Sequence, residues 1–577
     1  MFPDRRMRRL LLVTIAFFFF FFLLKQHPSG GRRSFYRPIP DSPPSPAIPP
    51  NPPPPDPPGS IKHHLPPPNA HPSVPSLQPI QFFFSPWYKQ SNGTLARRAA
   101  VKRAFVKSWT GYKTGAYPAD ELGPVTGKGK VTTALGLGAG LVEGLDTLWV
   151  MGLKEEFYEA AEEVYKMDFS FFKGRRKNEG GGDDMWRFLG GLLAGYDLSG
   201  EWGLLEKAEE LGGLLLKEGM GGGREGGWLE FTRLGQLTGD KRYYDAVGRG
   251  VDALEEGQDG TGLRGMWPGV GGKGGKEVYS LGKGGGGVYG NLPKMAALLG
   301  RGRPGRFEGM WKAAMGVVEE WLLFRPMLGD EDRDEVGDRR DILLVGDVRV
   351  KGDKAEQVPE GQHLGCYAGG MFGVGGKLFG NEEYVKIGEQ LARGCAWAYG
   401  AFPTGLMPEV FEVVPCEGDW RDGPCRFDED QWRKDGSRKL NKPFKSVRDP
   451  KYMLRPEAIE SLFIMFRITG NKEYQELAWE MFQSVVKATE TELAFSAIGD
   501  VTVHGPTKKI DSMESYWLAE TLKYFYLIFS PPDLISLDEW ILSTGAHPLR
   551  RDSSGFITRG FDEPPRPKRK KNKPAVP

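Results

Sequence analysis

From residue 90 to residue 550 the apolar positions recur with the period of a helix, and the helical runs are parted by short turns that repeat one another. Leu237-Thr238-Gly239-Asp240-Lys241-Arg242-Tyr243, Leu378-Phe379-Gly380-Asn381-Glu382-Glu383-Tyr384 and Ile468-Thr469-Gly470-Asn471-Lys472-Glu473-Tyr474 are the same turn. Glycine suits the position just past a helix, where the backbone turns left-handed, and the aromatic four residues later opens the next apolar stripe. Looser copies are Met151-Gly152 before Phe157 and Ser199-Gly200 before Trp202. Gly239 to Gly380 spans 141 residues and Gly380 to Gly470 spans 90, both near multiples of roughly 45, so a helical hairpin recurs at that spacing. Six or seven such hairpins stack as an open solenoid or close into a ring, and periodicity alone does not choose between them. The strongly apolar helix Tyr516 to Phe529 favours closure, which would leave a central mouth suited to a ligand.

The two ends break this pattern. Arg5, Arg6, Arg8 and Arg9 precede an uncharged run from Leu10 to Leu24 that ends at Lys25. As a helix these 15 residues reach about 22 Å against a hydrocarbon core of about 30 Å, so the flanking cations must snorkel or the bilayer must be thin. A cleaved signal peptide is the alternative, but Lys25-Gln26-His27-Pro28 offers no small-x-small cleavage site. Four arginines before the run favour a cytoplasmic N-terminus and a luminal body. Between Pro38 and Pro79 lie 19 of the 45 prolines, a composition that reads as a stalk. The expected organisation is a cytoplasmic tail over 1–9, a transmembrane anchor over 10–24, a Pro-rich disordered stalk over 25–85, a helical catalytic domain over 86–552 and a basic disordered tail over 553–577.

Composition adds three limits. With 39% hydrophobic residues the chain of 577 residues buries a sizeable core, and 77 Lys and Arg against 75 Asp and Glu give no reason to expect a nucleic-acid partner. The four cysteines, Cys366, Cys395, Cys416 and Cys425, contain no CxxC pair, which speaks against zinc. In a luminal domain an even number predicts two disulfides in one of three connectivities, of which Cys366–Cys395 with Cys416–Cys425 is favoured. The sequon Asn92-Gly93-Thr94 fits the same compartment. Glycine is in excess, 80 residues or about 14% against a usual ~7%.

Several acids stand where a solvated helix would not need them. After Pro456, Glu457 and Glu460 share one helix face beside Arg455. Either they form an acid/base or sugar-hydroxyl site, or they only complement the positive helix N-terminus. Glu409 follows Pro408 in a loop, and Glu520 lies on an apolar helix where an unpaired acid is costly. Asp511 and Glu514 have helix-capping spacing, which makes Glu514 structural. Ser543-Thr544-Gly545-Ala546-His547-Pro548 brings a hydroxyl and carbonyls, hard donors that suit calcium.

Glu143-Gly144-Leu145-Asp146-Thr147-Leu148, Arg187 to Leu193, Pro359 to Leu364, Leu454 to Ser461 and Ser543 to Pro548 together resemble, in order, the motifs of class I α-1,2-mannosidases, glycoside hydrolase family 47, in a fungal-type form. The resemblance runs from about Arg98 to Arg551. It implies an all-α (α/α)7 barrel, one calcium ion, and inverting removal of terminal α-1,2-linked mannose from high-mannose N-glycans on glycoproteins. It implies a monomer held by its anchor in the Golgi or endoplasmic reticulum membrane as a single-pass type II protein. By the same resemblance Glu409 is the proton donor, Glu457 activates water, and Asp183 falls where a further catalytic acid is expected. Arg187, Arg455, Glu460 and Glu520 face the sugar, Thr544 binds calcium, and Cys366 and Cys395 form the common disulfide.

The chain also departs from that pattern. Asp183 stands where the family has a glutamate, one methylene longer. In Ser280 to Lys294 a catalytic aspartate falls on Gly286 and a substrate-binding glutamate on Gly290, and the acid after Thr544 falls on Gly545. Glycine has no side chain to move a proton. Two readings therefore follow: a mannosidase impaired by lost acids, or an inactive mannosidase-fold protein that holds mannose glycans as a lectin.

Overall fold

The computed structural model describes residues 79–133, 136–172, 182–220, 226–269, 276–300, 305–329 and 340–551, all within the compact unit Pro72–Pro577. The three matching turns fold as their residues require. Gly239, Gly380 and Gly470 have φ of 72°, 68° and 71°, and the aromatics four residues on, Tyr243, Tyr384 and Tyr474, are buried. Asp240 and Asn381 cap the helices that follow by accepting backbone N–H groups of their first turns.

Two kinds of helix alternate along the chain. One kind is α3 (Leu145–Val150), α5 (Gly182–Ser199), α7 (Trp228–Thr238), α9 (Gly286–Leu299), α11 (Ala368–Phe379), α14 (Glu457–Thr469) and α16 (Leu522–Ile528), the last preceded by a π-turn at Trp517–Thr521. Among the described residues each of these packs on the next, and the π-turn closes the circle onto α3. The other kind stands outside: α4 (Lys154–Lys166), α6 (Trp202–Lys217), α8 (Lys241–Gly257), α10 (Gly305–Val317), α12 (Glu382–Gly400), α15 (Glu473–Thr489) and α1 (Asn92–Gly115), each backing one inner helix. The remaining short helices are α2 (Ala139–Val142) and α13 (Glu429–Asp435).

Position explains composition. Inner helices are covered on all sides, so α14 buries every residue from Ala458 to Ile468, whereas the outer α8 buries only the stripe Tyr243, Tyr244, Ala246, Val247, Val251 and Leu254. Each fully buried large side chain, such as Phe463, stabilises by roughly 1.5–3 kcal/mol. The one buried cation of α14, Arg467, donates to the carbonyls of Leu527 (3.0 Å) and Pro532 and so satisfies the end of α16 and the turn after it.

The chain is thus a ring rather than a solenoid, and hydrogen bonds stitch its first and last elements: Trp517 Nε1 donates to Ser108 Oγ at 3.0 Å, and Thr147 Oγ1 to the Ala519 carbonyl at 3.3 Å. The all-α expectation needs one correction. The loops joining the helices pair into six small antiparallel sheets of two or three strands among the described residues, because these connections are long enough to satisfy their own backbone groups. Packing begins at Ile80, near the end of the proline-rich stretch: Ile80 is buried, its N–H and that of Gln81 bond to Asp538, and the Phe84 ring rests on Phe466. Among the described residues no helix is long and apolar enough to cross a membrane; the proposed anchor at 10–24, most of the stalk and the tail 553–577 lie outside the described residues.

Both disulfides form with the favoured pairing, Cys366–Cys395 and Cys416–Cys425. The first ties the turn ahead of α11 to α12 and closes a separation of 29 residues, the second one of 9. Loop-closure entropy then predicts that replacing Cys366 and Cys395 by Ala costs roughly 3–4 kcal/mol of unfolding free energy, against roughly 2–3 for the other pair. Denaturant titration of the two double variants should rank them in that order.

Candidate active site

The mouth of the ring is a cavity of about 610 Å³, and its wall is built mainly from inner helices. Arg187 comes from α5, Glu230 from α7, Asn291 and Lys294 from α9, Glu457 and Glu460 from the first turn of α14, and Glu520 from the turn before α16. Opposite them enters a hairpin, Trp540–Leu542 paired with Pro548–Arg550, whose tip carries Thr544. That tip is gripped from several sides. His547 Nδ1 shares a 2.9 Å hydrogen bond with Asp146 of α3, Lys523 of α16 donates to the Ala546 carbonyl at 2.8 Å, and Lys294 lies 3.5 Å from the Ser543 carbonyl. The His547 ring comes so close to α5 that a Cβ on Gly190 would stand 2.6 Å from it, so glycine is required there. Within the tip Thr544 is exposed while Ser543, Gly545 and Ala546 are buried.

Two non-glycine residues among the described ones have positive φ, Leu454 at 64° and Ala546 at 56°. Such a conformation costs roughly 1–3 kcal/mol each, and these two flank Arg455 and follow Thr544 by two residues.

The carboxylates in the cavity differ in partners. Glu457 Oε2 is held 2.9 Å from His363 Nδ1, and His363 Nε2 lies 2.7 Å from the Tyr399 hydroxyl. Glu460 lies 3.4 Å from Lys294 Nζ; burial pushes its pKa up, with Lys294 opposing and Glu457 reinforcing. Glu520 is pushed far above the usual carboxylate range by burial, then by repulsion from Glu457, Glu143 and Glu460, with Arg187 opposing. Arg187 Nε itself stands 3.7 Å from buried Glu143.

Arg187, Arg455, Glu457, Glu460, Glu520 and Thr544, scattered over more than 350 positions of sequence, therefore share one cavity wall. Glu409 sits one layer back. Arg455 Nε donates to its Oε2 at 2.6 Å, its N–H and carbonyl are fixed by Lys451 and His363, and its Oε1 has no hydrogen-bond partner among the described residues. Burial raises its pKa, opposed by Arg455 and His363 and aided by Glu457. Asp183 lies in the first turn of α5, one turn before Arg187; its side chain is outside the described residues. Glu514 lines the cavity, which corrects its expected capping role, and Asp511 instead accepts from Val125, Thr126 and the Thr126 hydroxyl. Glu230, Lys294, Asn291 and Tyr367 line the cavity too. Nothing in their local spacing announces this.

Gly286, Gly290 and Gly545 line the same cavity. They are not equivalent. A Cβ at 286 would stand 2.4 Å from the Leu281 carbonyl oxygen and 3.0 Å from the Tyr367 ring, whose hydroxyl donates to the Gly286 carbonyl at 2.7 Å. At 290 the nearest atom would be 3.2 Å away and at 545 3.0 Å, both on side-chain rings. Only position 286 is closed by backbone.

A hard dication suits this donor set. Among the described residues no group of three or more His, Cys, Asp or Glu is placed to hold a metal directly, so Thr544, through hydroxyl and carbonyl, would be the protein's own contact, 3.4 Å from Asn291 Oδ1. Glu460 and Glu520, buried beside like charges, are what a nearby cation would relieve.

The model of glycosyl hydrolase family 47 matches residues 104–218 and 226–551. A mannosyl-oligosaccharide 1,2-alpha-mannosidase of Arabidopsis thaliana is 30% identical over 492 residues, covering 79% of this chain and 78% of the relative. An endoplasmic reticulum mannosyl-oligosaccharide 1,2-alpha-mannosidase of Rattus norvegicus is 28% identical, covering 82% and 71%. The solved alpha-1,2-mannosidase from Trichoderma reesei superposes with a TM-score of 0.67 at 27% identity, over 79% of this chain and 99% of that one, and shares the (α/α)7 ring.

Glu230 gives the cavity a testable pH signature. Burial pushes its pKa up to about 7, against weaker opposition from the Ser543 hydroxyl and Lys294. Below about pH 4.5 the carboxyl is protonated whether folded or not; between there and pH 7 the unfolded chain ionises first, so stability falls, and above pH 7 the deficit is constant. Glu230→Gln should therefore gain on the unmutated chain by on the order of 3 kcal/mol as pH rises across that window. Thermal melts of both at pH 4.5 and pH 8 should diverge, and parallel melts would contradict the assignment.

Proposed function

Since the chain belongs to glycosyl hydrolase family 47, we propose that it handles terminal α-1,2-linked mannose of high-mannose N-glycans, as a calcium-dependent inverting mannosidase weakened by the loss of catalytic acids. The observation that carries this reading is the single cavity that gathers Arg187, Arg455, Glu457, Glu460, Glu520 and Thr544. In it Glu457, oriented by His363, takes the proton of the attacking water. The proton donor to the leaving sugar oxygen is, by the family resemblance, Glu409, which Arg455 holds one layer behind the cavity wall, with Asp183 as a second, shorter acid. Arg455 orients Glu409 from the cavity wall, and Glu460, Glu520 and Arg187 grip sugar hydroxyls. Calcium held by Thr544 would bind vicinal hydroxyls and favour ring distortion. The relatives named for the endoplasmic reticulum and the charge-flanked run 10–24 support a membrane-anchored, luminal enzyme of the endoplasmic reticulum or Golgi.

The second reading, a lectin or inert relative, is favoured by Gly286. There the backbone itself occupies the place of a side chain, so the loop is fitted to glycine.

Two measurements follow. The full chain incubated with Man9 glycan and calcium should release mannose at least ~100-fold more slowly than an intact family member, since one missing acid costs 10²–10⁴-fold; turnover near that of the intact enzyme would refute the impairment. Restoring the acid by Gly286→Asp should fail to raise the rate and should lower the melting temperature, because the Leu281 carbonyl must move. A tenfold gain in rate would mean the loop is not committed to glycine.

A further inference from the structure

The π-turn Trp517–Thr521 brings Glu520 to the cavity, and its last residue and the start of α16 reach behind it. Thr521 Oγ1 donates to the Leu454 carbonyl at 2.7 Å, and Lys523 Nζ donates to the Ala546 carbonyl at 2.8 Å. Their acceptors are the two left-handed non-glycine residues among the described ones. Leu454 immediately precedes Arg455 and stands three residues before Glu457. Ala546 stands two residues after Thr544, inside a turn closed by the Ser543 N–H to the His547 carbonyl at 2.9 Å and the Ala546 N–H to the Ser543 carbonyl at 3.0 Å.

The clamps are built differently. Thr521 makes one neutral hydrogen bond and is fully buried. Lys523, also fully buried, bonds at 2.7 Å to Asp146 Oδ2, the same oxygen that lies 2.9 Å from His547 Nδ1. A carbonyl in a sparsely populated backbone conformation keeps it only when its surroundings over-determine it, and here one helix turn supplies that constraint to both loops.

We propose that Thr521 and Lys523 are positioning residues: Thr521 fixes the loop presenting Arg455 and Glu457, and Lys523, with Asp146 and His547, fixes the turn presenting Thr544. Residues two apart on a single rigid turn thereby hold the two walls of the cavity in register. The consequence for ligands rests on the calcium and mannose reading above; the positioning itself does not.

The test uses the full chain and the variants Thr521→Val and Lys523→Met. Amide hydrogen exchange needs no ligand. Lys523→Met should speed exchange at Thr544–His547 about tenfold and leave Leu454–Glu457 unchanged, and Thr521→Val should do the reverse. Exchange that is unchanged at both loops, or raised evenly over the molecule, overturns the proposal. Calcium titration by calorimetry then separates this from the functional reading. Lys523→Met should weaken calcium at least tenfold and Thr521→Val less than threefold, while Thr521→Val should weaken Man9 retention at saturating calcium. If the unmutated chain takes up no calcium, the calcium reading fails and the exchange result alone decides the positioning claim. Should Lys523→Met not fold, Asp146→Asn, which keeps the volume and weakens the hold on Lys523 and His547, is read by the same exchange at Thr544–His547, with the same outcomes for and against.

Discussion

Like charges crowded into one hollow govern much of what surrounds them. Glu460, Glu520 and Glu409 are all driven toward protonation by burial, and mutual repulsion with Glu457 adds to it. The answering cations, Arg187, Arg455 and Lys294, reach one or two acids each. Isolating a charge from water costs several kcal/mol unless it is paired, so the cavity is held in an uneasy balance that a bound dication or a row of sugar hydroxyls would ease.

The ring makes that balance possible. Seven inner helices, each closed in by its neighbours and one outer helix, cannot spread apart to hydrate the acids at their ends. Where the path of the chain conflicts with the ordinary preferences of its residues, at Leu454 and Ala546, buried donors take up their carbonyls. The strain sits beside Arg455 and Thr544, and the compensation comes from the helix that carries Glu520.

Gly286, Gly290 and Gly545 line the hollow without side chains of their own. Position 286 differs from the others in that the Leu281 carbonyl and Tyr367 have closed over it.

Much of the fold was legible along the chain because its cause is local. A glycine after a helix and an aromatic four residues later need only their own neighbours to fold as they do, and Gly239, Gly380 and Gly470 behave alike in three different hairpins. The pairing of Cys366 with Cys395 and the family motifs around Glu457 and Thr544 could likewise be read in one dimension. What local pattern could not decide was whether the hairpins would close, since that depends on Trp517 meeting Ser108 across more than 400 residues. Nor could it find Glu230, Lys294 or Glu514 at the cavity, or assign Thr521 and Lys523 to the strained carbonyls they hold. Those facts arise only when several helix ends converge on one hollow, because burial and distance, which set the cost of a charge and the reach of a hydrogen bond, exist only between elements and not within them.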